Sequence, residues 1–396
     1  MTTTWVPVPP GSPFPVQNLP YGVFSRPGEL PRVGVAVGDH VVDMRRLDVP
    51  YAADFGYPEL NPFMERGPEA WAQVRVRLSQ LLRDPAHRTD VEPNLIPASQ
   101  VRLHLPFTVA DYVDFYASEH HASNVGRMFR PDGPPLTPNW KHMPIGYHGR
   151  AGTVVVSGTP VERPQGQLRP QPERPPVFGP SQRLDIEAEV GFVVGVGAPH
   201  GRVPTSAFPE HVFGVVLVND WSARDVQAWE YVPLGPFLGK SFATSISPWV
   251  VPLDALQHAR LRPPLQDPTP LPYLHESQPW GLDLLLCVEW NGTVVSQPPF
   301  SQLYWSPAQQ LAHMTVNGAR LRTGDLFASG TVSGPLPDQR GSFLELTWDG
   351  RDPLYFPDGS TRSFLEDGDE VVITATAPGP DGTTIGFGEV RGRIVG

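Results

Sequence analysis

The segments DIEAEVGFVVGVG (185–197) and HVFGVVLVND (211–220) decide the architecture. Both are β-branched and apolar, and both are bounded by Gly, Pro or Asn, the signature of strands. No helix pattern alternates with them, which argues against a doubly wound α/β fold. Working outward, TVVVSG (153–158) reads as a further strand, and LDLLLCVEW-NG-TVVSQ (282–297) as a hairpin. Asn291-Gly292 supplies the two positive φ angles of a type I′ turn. SFLELTW (342–348), EVVITATA (370–377) and TIGFGEVRGRIV (384–395) are expected to complete a β-rich domain.

On the N-terminal side, RVGVAVGDHVVDM (32–44) alternates about Gly38-Asp39 like a second hairpin. Pro68 is placed to open a helix in which Trp71, Val74, Leu78 and Leu81 recur until Asp84-Pro85 stops it. A second helix is predicted from Ser306-Pro307 to about Asn317-Gly318, and ADYVDFYASEHHASNVGRMF (110–129) suits a short helix or helical turn. EPNLIPASQVRLHLPF (92–107) reads as a linker, which divides the chain into 1–106 and 107–396. The Pro-rich stretch 160–176 reads as an extended surface loop. The expected fold is mainly β (α+β).

Composition agrees. In 396 residues there are 50 Pro and 38 Gly, which leaves little room for long helices. The net charge of −11 disfavours nucleic acid as a partner, so an anionic ligand would need a locally positive pocket. The one cysteine, Cys287, excludes a disulfide framework and a Cys-rich zinc site within the chain, and fits a reducing, cytoplasmic setting. The N-terminal stretch lacks the basic and apolar regions of a signal peptide, and no apolar run approaches the roughly 18 residues of a membrane helix, so no membrane association is expected.

Chemistry concentrates in three places. Glu187 and Glu189 lie two apart in a strand-like run and project from one face, among apolar neighbours that point to burial. Two such carboxylates are costly unless a cation joins them. Asp220, at the end of the next strand, supplies a third oxygen donor, so Mg²⁺ or Ca²⁺ is the expected ion. Asp114 and His121, seven apart, would share a face if their segment stayed helical. His121, or its neighbour His120, is a candidate base for water, and Glu345 could orient such an imidazole. In DWSARDVQAWEYVPLGPFLGKSF (220–242), Arg224 and Gln227 face together at helical spacing ahead of Lys240, one of two lysines in the chain. They read as donors for an oxyanion or carboxylate. An ion pair between Arg224 and Asp220 is the structural alternative.

These residues sit in longer stretches: DYVDFYASEHHASNVGRMFR (111–130), PNWKHMPIGYHGRAGTVVVSGTP (138–160), LDIEAE (184–189), VVLVNDWSARDVQAWEYVPLGPFLGKSFATSISPWVVP (215–252), VNGARLRTGDLFASGTVSG (316–334) and LEDGDEVVITA (365–375). Together they closely resemble the fumarylacetoacetate hydrolase family over essentially the whole chain. The resemblance implies a small N-terminal SH3-like β-barrel, a large C-terminal β-roll and a homodimer. It implies metal-dependent cleavage of a carbon–carbon bond in 4-fumarylacetoacetate to fumarate and acetoacetate, the last step of tyrosine and phenylalanine catabolism. Asp114, Glu187, Glu189 and Asp220 would hold the divalent metal, with Lys240 and Thr244 at a neighbouring cation position. His121 would be the base and Glu345 its orienter. Arg224, Gln227 and Lys240 would hold the developing negative charge. Tyr116, Arg130, Tyr147, Gln227, Tyr231 and Thr331 would contact the substrate, an anionic β-diketo acid. One departure is Ala243, where the family usually has glycine. The carboxylate set alone leaves open another hydrolase, decarboxylase or isomerase of the wider superfamily, or a metal-stabilised binding protein without turnover.

Overall fold

The computed structural model describes residues 4–171 and 173–396; Met1–Thr3, at the start of the N-terminal stretch read above, and Pro172 of the Pro-rich stretch lie outside the described residues. Strand Val212–Asp220 is buried along its whole length. It is covered on both faces, so it reads as a continuous apolar run rather than an alternating one. Ala188–Val194 pairs with it antiparallel, Glu189 opposite Val218 and Ala188 opposite Asn219. From this pair the large sheet extends through Leu326–Ala328 to Tyr112–Phe115 and Gly146–His148. On the other side it continues through Trp249–Pro252 to Tyr21–Ser25.

Tyr21–Ser25, Arg32–Val37 and His40–Asp43 form the N-terminal antiparallel unit, with the predicted hairpin turning at Gly38 (φ +54°). Helix Pro68–Arg83 runs as predicted and buries Val74, Leu78 and Leu81 against this unit, while Trp71 is only partly covered. The stretch 92–107 is not a linker. Leu95–Pro97 pairs with His40–Asp43 and Arg102–His104 with Tyr21–Ser25, so short β-pairings occupy what composition alone presents as a connection. The chain has an N-terminal domain and a larger C-terminal one, and the sheet is continuous between them through the pairing of Tyr21 with Val250.

A second sheet carries Thr293–Ser296, Leu285–Trp290, Glu370–Pro378, Thr384–Val395 and Val161–Glu162 in that order. The Asn291-Gly292 turn has both φ angles positive, as its sequence requires. The Pro-rich stretch is partly strand: Val161–Glu162 joins the C-terminal strand, and Gln165–Leu168 pairs with Val177–Pro180. SFLELTW is also not a strand. Ser342 caps a short helix, Phe343–Leu346, by accepting a hydrogen bond from the Glu345 amide. A local cap outweighs β-propensity here.

One glycine fixes the relation between two site-bearing strands. Gly330, just past Leu326–Ala328, has φ +74°, and a Cβ there would stand 2.0 Å from the carbonyl oxygen of Phe115. Gly330→Ala is expected to lower the melting temperature by several degrees, because a left-handed non-glycine residue alone costs about 1–3 kcal/mol and the backbone oxygen cannot retreat without disturbing the strand. An unchanged thermal transition would contradict this.

Candidate active site

The register of the central sheet brings four carboxylates together. Asp114 lies on Tyr112–Phe115, opposite Tyr147, and Asp220 ends its strand opposite Thr244. Glu187 and Glu189 flank Ala188 at the start of the neighbouring strand. One oxygen from each of Asp114, Glu187, Glu189 and Asp220 lies within 4.8 Å of the others, and all four residues are buried. Asp114 and His121 do not share a helix face as expected: Asp114 is in a strand, whereas His121 is in helix Glu119–Phe129, which begins only at the Ser118 cap.

This cluster is electrostatically short of positive charge. Glu187 is compensated: Lys240 Nζ donates to Glu187 Oε2, and Arg224 Nη1 lies 2.7 Å from Glu187 Oε1. Burial raises the Glu187 carboxyl, but Lys240 and Arg224 outweigh it and hold the group well below the usual range. Lys240 Nζ also donates to Asp220 Oδ2 at 2.7 Å, Tyr147 Oη donates to the same oxygen at 3.0 Å, and Thr244 Oγ1 donates to Asp220 Oδ1 at 3.1 Å. Burial still leaves Asp220 raised. Asp114 and Glu189 are raised well above the ordinary value, first by burial and then by the neighbouring carboxylates. Asp114 Oδ1 and both oxygens of Glu189 are buried without a hydrogen-bond partner among the described residues. Unsatisfied interior acceptors are costly, and a hard cation among them would satisfy all three. The donor set is carboxylate oxygen throughout, which fits Mg²⁺ or Ca²⁺ and not a thiophilic metal. Lys240, held as an ammonium by Asp220 and Glu187 despite burial, has no lone pair to offer a metal and acts here as a counter-ion.

A second constellation adjoins the first. His121 Nδ1 lies 2.6 Å from Glu345 Oε2. Glu345 is fully buried and also accepts from Asn124 Nδ2, Ser333 Oγ and Ser342 Oγ at 2.9, 2.9 and 3.0 Å. Burial pushes this carboxyl up, but His121 and the surrounding donors prevail and keep it below the ordinary range. Ionised, Glu345 can only accept, so His121 Nδ1 carries the proton and Nε2 is left to act as a base. Among the described residues, no such bond is made by His120 next to it.

Arg224 does not pair with Asp220. Its Nε donates to Asp185 Oδ2 at 2.8 Å and its Nη1 to Gln227 Oε1 at 3.1 Å, whereas Nη2 is buried with no partner among the described residues. Thr331 Oγ1 is likewise buried with no hydrogen-bond partner among the described residues. The Tyr116 ring stands edge-on to His121, centroids 5.2 Å apart. Other expected substrate contacts are not gathered as closely. Arg130 is exposed and donates to the Pro135 carbonyl, and Tyr231 is 52% exposed beyond helix Arg224–Glu230. Tyr147 is occupied by Asp220. A cavity of about 110 Å³, lined in part by Tyr112, Phe237 and Thr244, reaches the cluster through Asp220 and Lys240 rather than through His121. Ala243 is buried beside Thr244, whose hydroxyl still reaches Asp220.

Sequence reading missed Asp185, Asn124, Ser333 and Ser342. Asn124 was discoverable, since it follows His121 by one helical turn. Ser342 was discoverable too, since it precedes Glu345 by three residues as the cap of its helix, whereas Ser333 meets Glu345 only through tertiary folding.

The chain is similar to known proteins over nearly its whole length. Residues 17–106 match the fumarylacetoacetase N-terminal family model, and residues 111–395 match the fumarylacetoacetate (FAA) hydrolase C-terminal model. Human fumarylacetoacetase is 49% identical over 99% of this chain and 98% of its own length, and the Arabidopsis thaliana fumarylacetoacetase is 46% identical over 96% of each. Among solved structures, a fumarylacetoacetate hydrolase from Exiguobacterium antarcticum aligns with TM-score 0.57 and 17% identity over 95% of this chain and 99% of that one. A maleylpyruvate hydrolase from Sphingobium aligns with TM-score 0.54 and 16% identity, covering 95% and 99%. These two share the fold. The full-length relatives and both family models place the chain in the fumarylacetoacetate hydrolase family.

Proposed function

We propose that this protein is a hydrolase that cleaves 4-fumarylacetoacetate to fumarate and acetoacetate, as the names of its full-length relatives indicate. The observation that carries the mechanism is the His121–Glu345 pair set beside a buried carboxylate cluster and unpartnered donors. His121 Nε2 takes a proton from water, whose oxygen attacks the fumaroyl carbonyl carbon. The oxyanion that forms is held by Arg224 Nη2, by the amide of Gln227 and by the remaining N–H of Lys240, two of whose three donors are already engaged. Collapse of the adduct breaks the carbon–carbon bond, and its electron pair leaves on the acetoacetate fragment as an enolate. That carbon receives the proton held by His121, and the second water proton is released as the new carboxyl ionises. A divalent cation, Mg²⁺ or Ca²⁺, bound by Asp114, Glu187, Glu189 and Asp220 would polarise the ketone oxygens and stabilise the enolate charge. Thr331 and Tyr116 would position the chain of the substrate, and Arg130, Tyr147 and Tyr231 would reach it after local adjustment. Thr244 and the backbone around Lys240 would border a second cation position.

The same reading places the reaction at the end of tyrosine and phenylalanine catabolism and the protein in the cytoplasm, which its lone cysteine permits. It divides the chain into an SH3-like unit, 1–106, and a β-roll, 107–396. A homodimer accompanies it, supported by an exposed apolar run in which Leu234 is 95% accessible and Val232 and Phe237 are also open. Among the described residues no helix is long and apolar enough to cross a membrane.

Following fumarylacetoacetate consumption with a chelator, and after Mg²⁺ or Ca²⁺ is restored, tests the reading. Metal-dependent formation of fumarate and acetoacetate is the expected result. Turnover of other acylpyruvates alone would select a different reaction of the superfamily, and none on any β-diketo acid would leave a metal-stabilised binding protein.

A further inference from the structure

Asp185 belongs to neither constellation, yet it touches the supports of both. It sits in the two-residue strand Leu184–Asp185, paired with Ser222–Ala223, and is fully buried. Its Oδ2 accepts from Arg224 Nε at 2.8 Å and from the amide of Leu344 at 3.1 Å. Its Oδ1 accepts from the amides of Phe343 and Ile186, each at 2.7 Å. Phe343 and Leu344 are the first two residues of the short helix that carries Glu345. One carboxylate therefore fixes the guanidinium whose Nη2 has no partner among the described residues and the backbone that aims Glu345 at His121. Among the described residues no hydrogen bond joins Arg224 directly to His121 or Glu345.

We infer that Asp185 is a positioning residue for the proposed hydrolysis, coupling the oxyanion donor Arg224 to the His121–Glu345 pair. The inference rests on that functional reading for its effect on rate, but the coupling is a property of the fold. A neutral side chain of the same shape cannot reproduce it. Four donors converge on Asp185, and an amide must turn its own N–H₂ toward either Arg224 and Leu344 or Phe343 and Ile186, donor against donor. Either choice moves one half of the site relative to the other. Groups that orient a functional residue without touching substrate typically cost about 10–100-fold when lost.

The test is Asp185→Asn with two readouts. Steady-state kinetics on fumarylacetoacetate should show kcat reduced about 10–100-fold with KM changed little, since Asp185 meets no substrate. Proton NMR should show the downfield Nδ1–H resonance of His121, identified by its loss in His121→Ala, shifted or broadened. Arg224→Lys, which leaves Asp185 in place, keeps the question open to test if Asp185→Asn does not fold. It should move the same His121 resonance, although Arg224 bonds neither His121 nor Glu345. Resonances unchanged in Arg224→Lys and in folded Asp185→Asn would overturn the coupling, and so would a wild-type kcat in folded Asp185→Asn. If the wild-type protein turns over no fumarylacetoacetate, the functional reading fails on its own, and the resonances still decide whether Asp185 couples the two halves.

Discussion

His121→Ala is expected to lower kcat on fumarylacetoacetate by about 10²–10⁴-fold, the usual contribution of a positioned general base, while Mg²⁺ or Ca²⁺ affinity stays within a few-fold of wild type. The separation follows from the geometry. The imidazole is held by Glu345 at 2.6 Å and is not one of the four clustered carboxylates, so its removal deletes the proton acceptor without deleting a metal donor. Glu345→Gln should approach the same loss by a different route. The amide can present N–H₂ to His121 Nδ1, which then carries no proton, and the tautomer flips so that Nε2 is protonated and cannot serve as base. Metal titration by calorimetry together with steady-state kinetics checks both. A His121→Ala enzyme with substantial turnover would remove His121 from the mechanism, and a loss of metal binding in that variant would make His121 part of the metal site, to which the four clustered carboxylates contribute no imidazole.

Much of this arrangement is legible in residue order because it depends on period-2 geometry. Glu187 and Glu189 share a face by strand periodicity, and Asp220 arrives at the end of the adjacent strand, so the cluster follows once Ala188 stands opposite Asn219. The Asn291-Gly292 hairpin and the helix from Pro68 are likewise local decisions, made by turn chemistry and apolar spacing. What residue order hides depends on distant partners. Phe343–Leu346 is helical because Ser342 caps it locally and because Asp185, far away in sequence, accepts its first amides. Residues 92–107 pair with strands more than fifty positions earlier, so their short, Pro-interrupted β-segments look like connection. Asp114 and His121 lie on either side of a strand-to-helix change at Ser118, which seven-residue spacing cannot register.

Glu189→Gln should change stability with opposite sign in the presence and absence of metal. In a chelator the wild-type cluster confines Asp114, Glu187, Glu189 and Asp220 against too few cations, and Glu189 is pushed up by burial and then by Asp114. A group whose folded pKa is raised costs nothing below its unfolded value of 4.5, where both states are protonated, and burdens the native state increasingly as pH rises past it. Neutralising Glu189 should therefore stabilise the metal-free protein at pH 7–8, by about 0.5–2 kcal/mol as for other relieved functional sites, and the gain should vanish as pH falls toward 4.5. With Mg²⁺ or Ca²⁺ in excess the order reverses. Wild type gains RT ln(1 + [L]/Kd), about 2.7 kcal/mol at a hundredfold excess over Kd, and the variant, lacking one anionic ligand, gains much less. Thermal melts of both proteins at two pH values, with chelator and with metal, give the four comparisons. Equal destabilisation in every condition would mean that Glu189 is held for packing. The predicted crossing would mean that the fold carries an electrostatic cost that only a bound cation relieves, as expected of a site kept for chemistry.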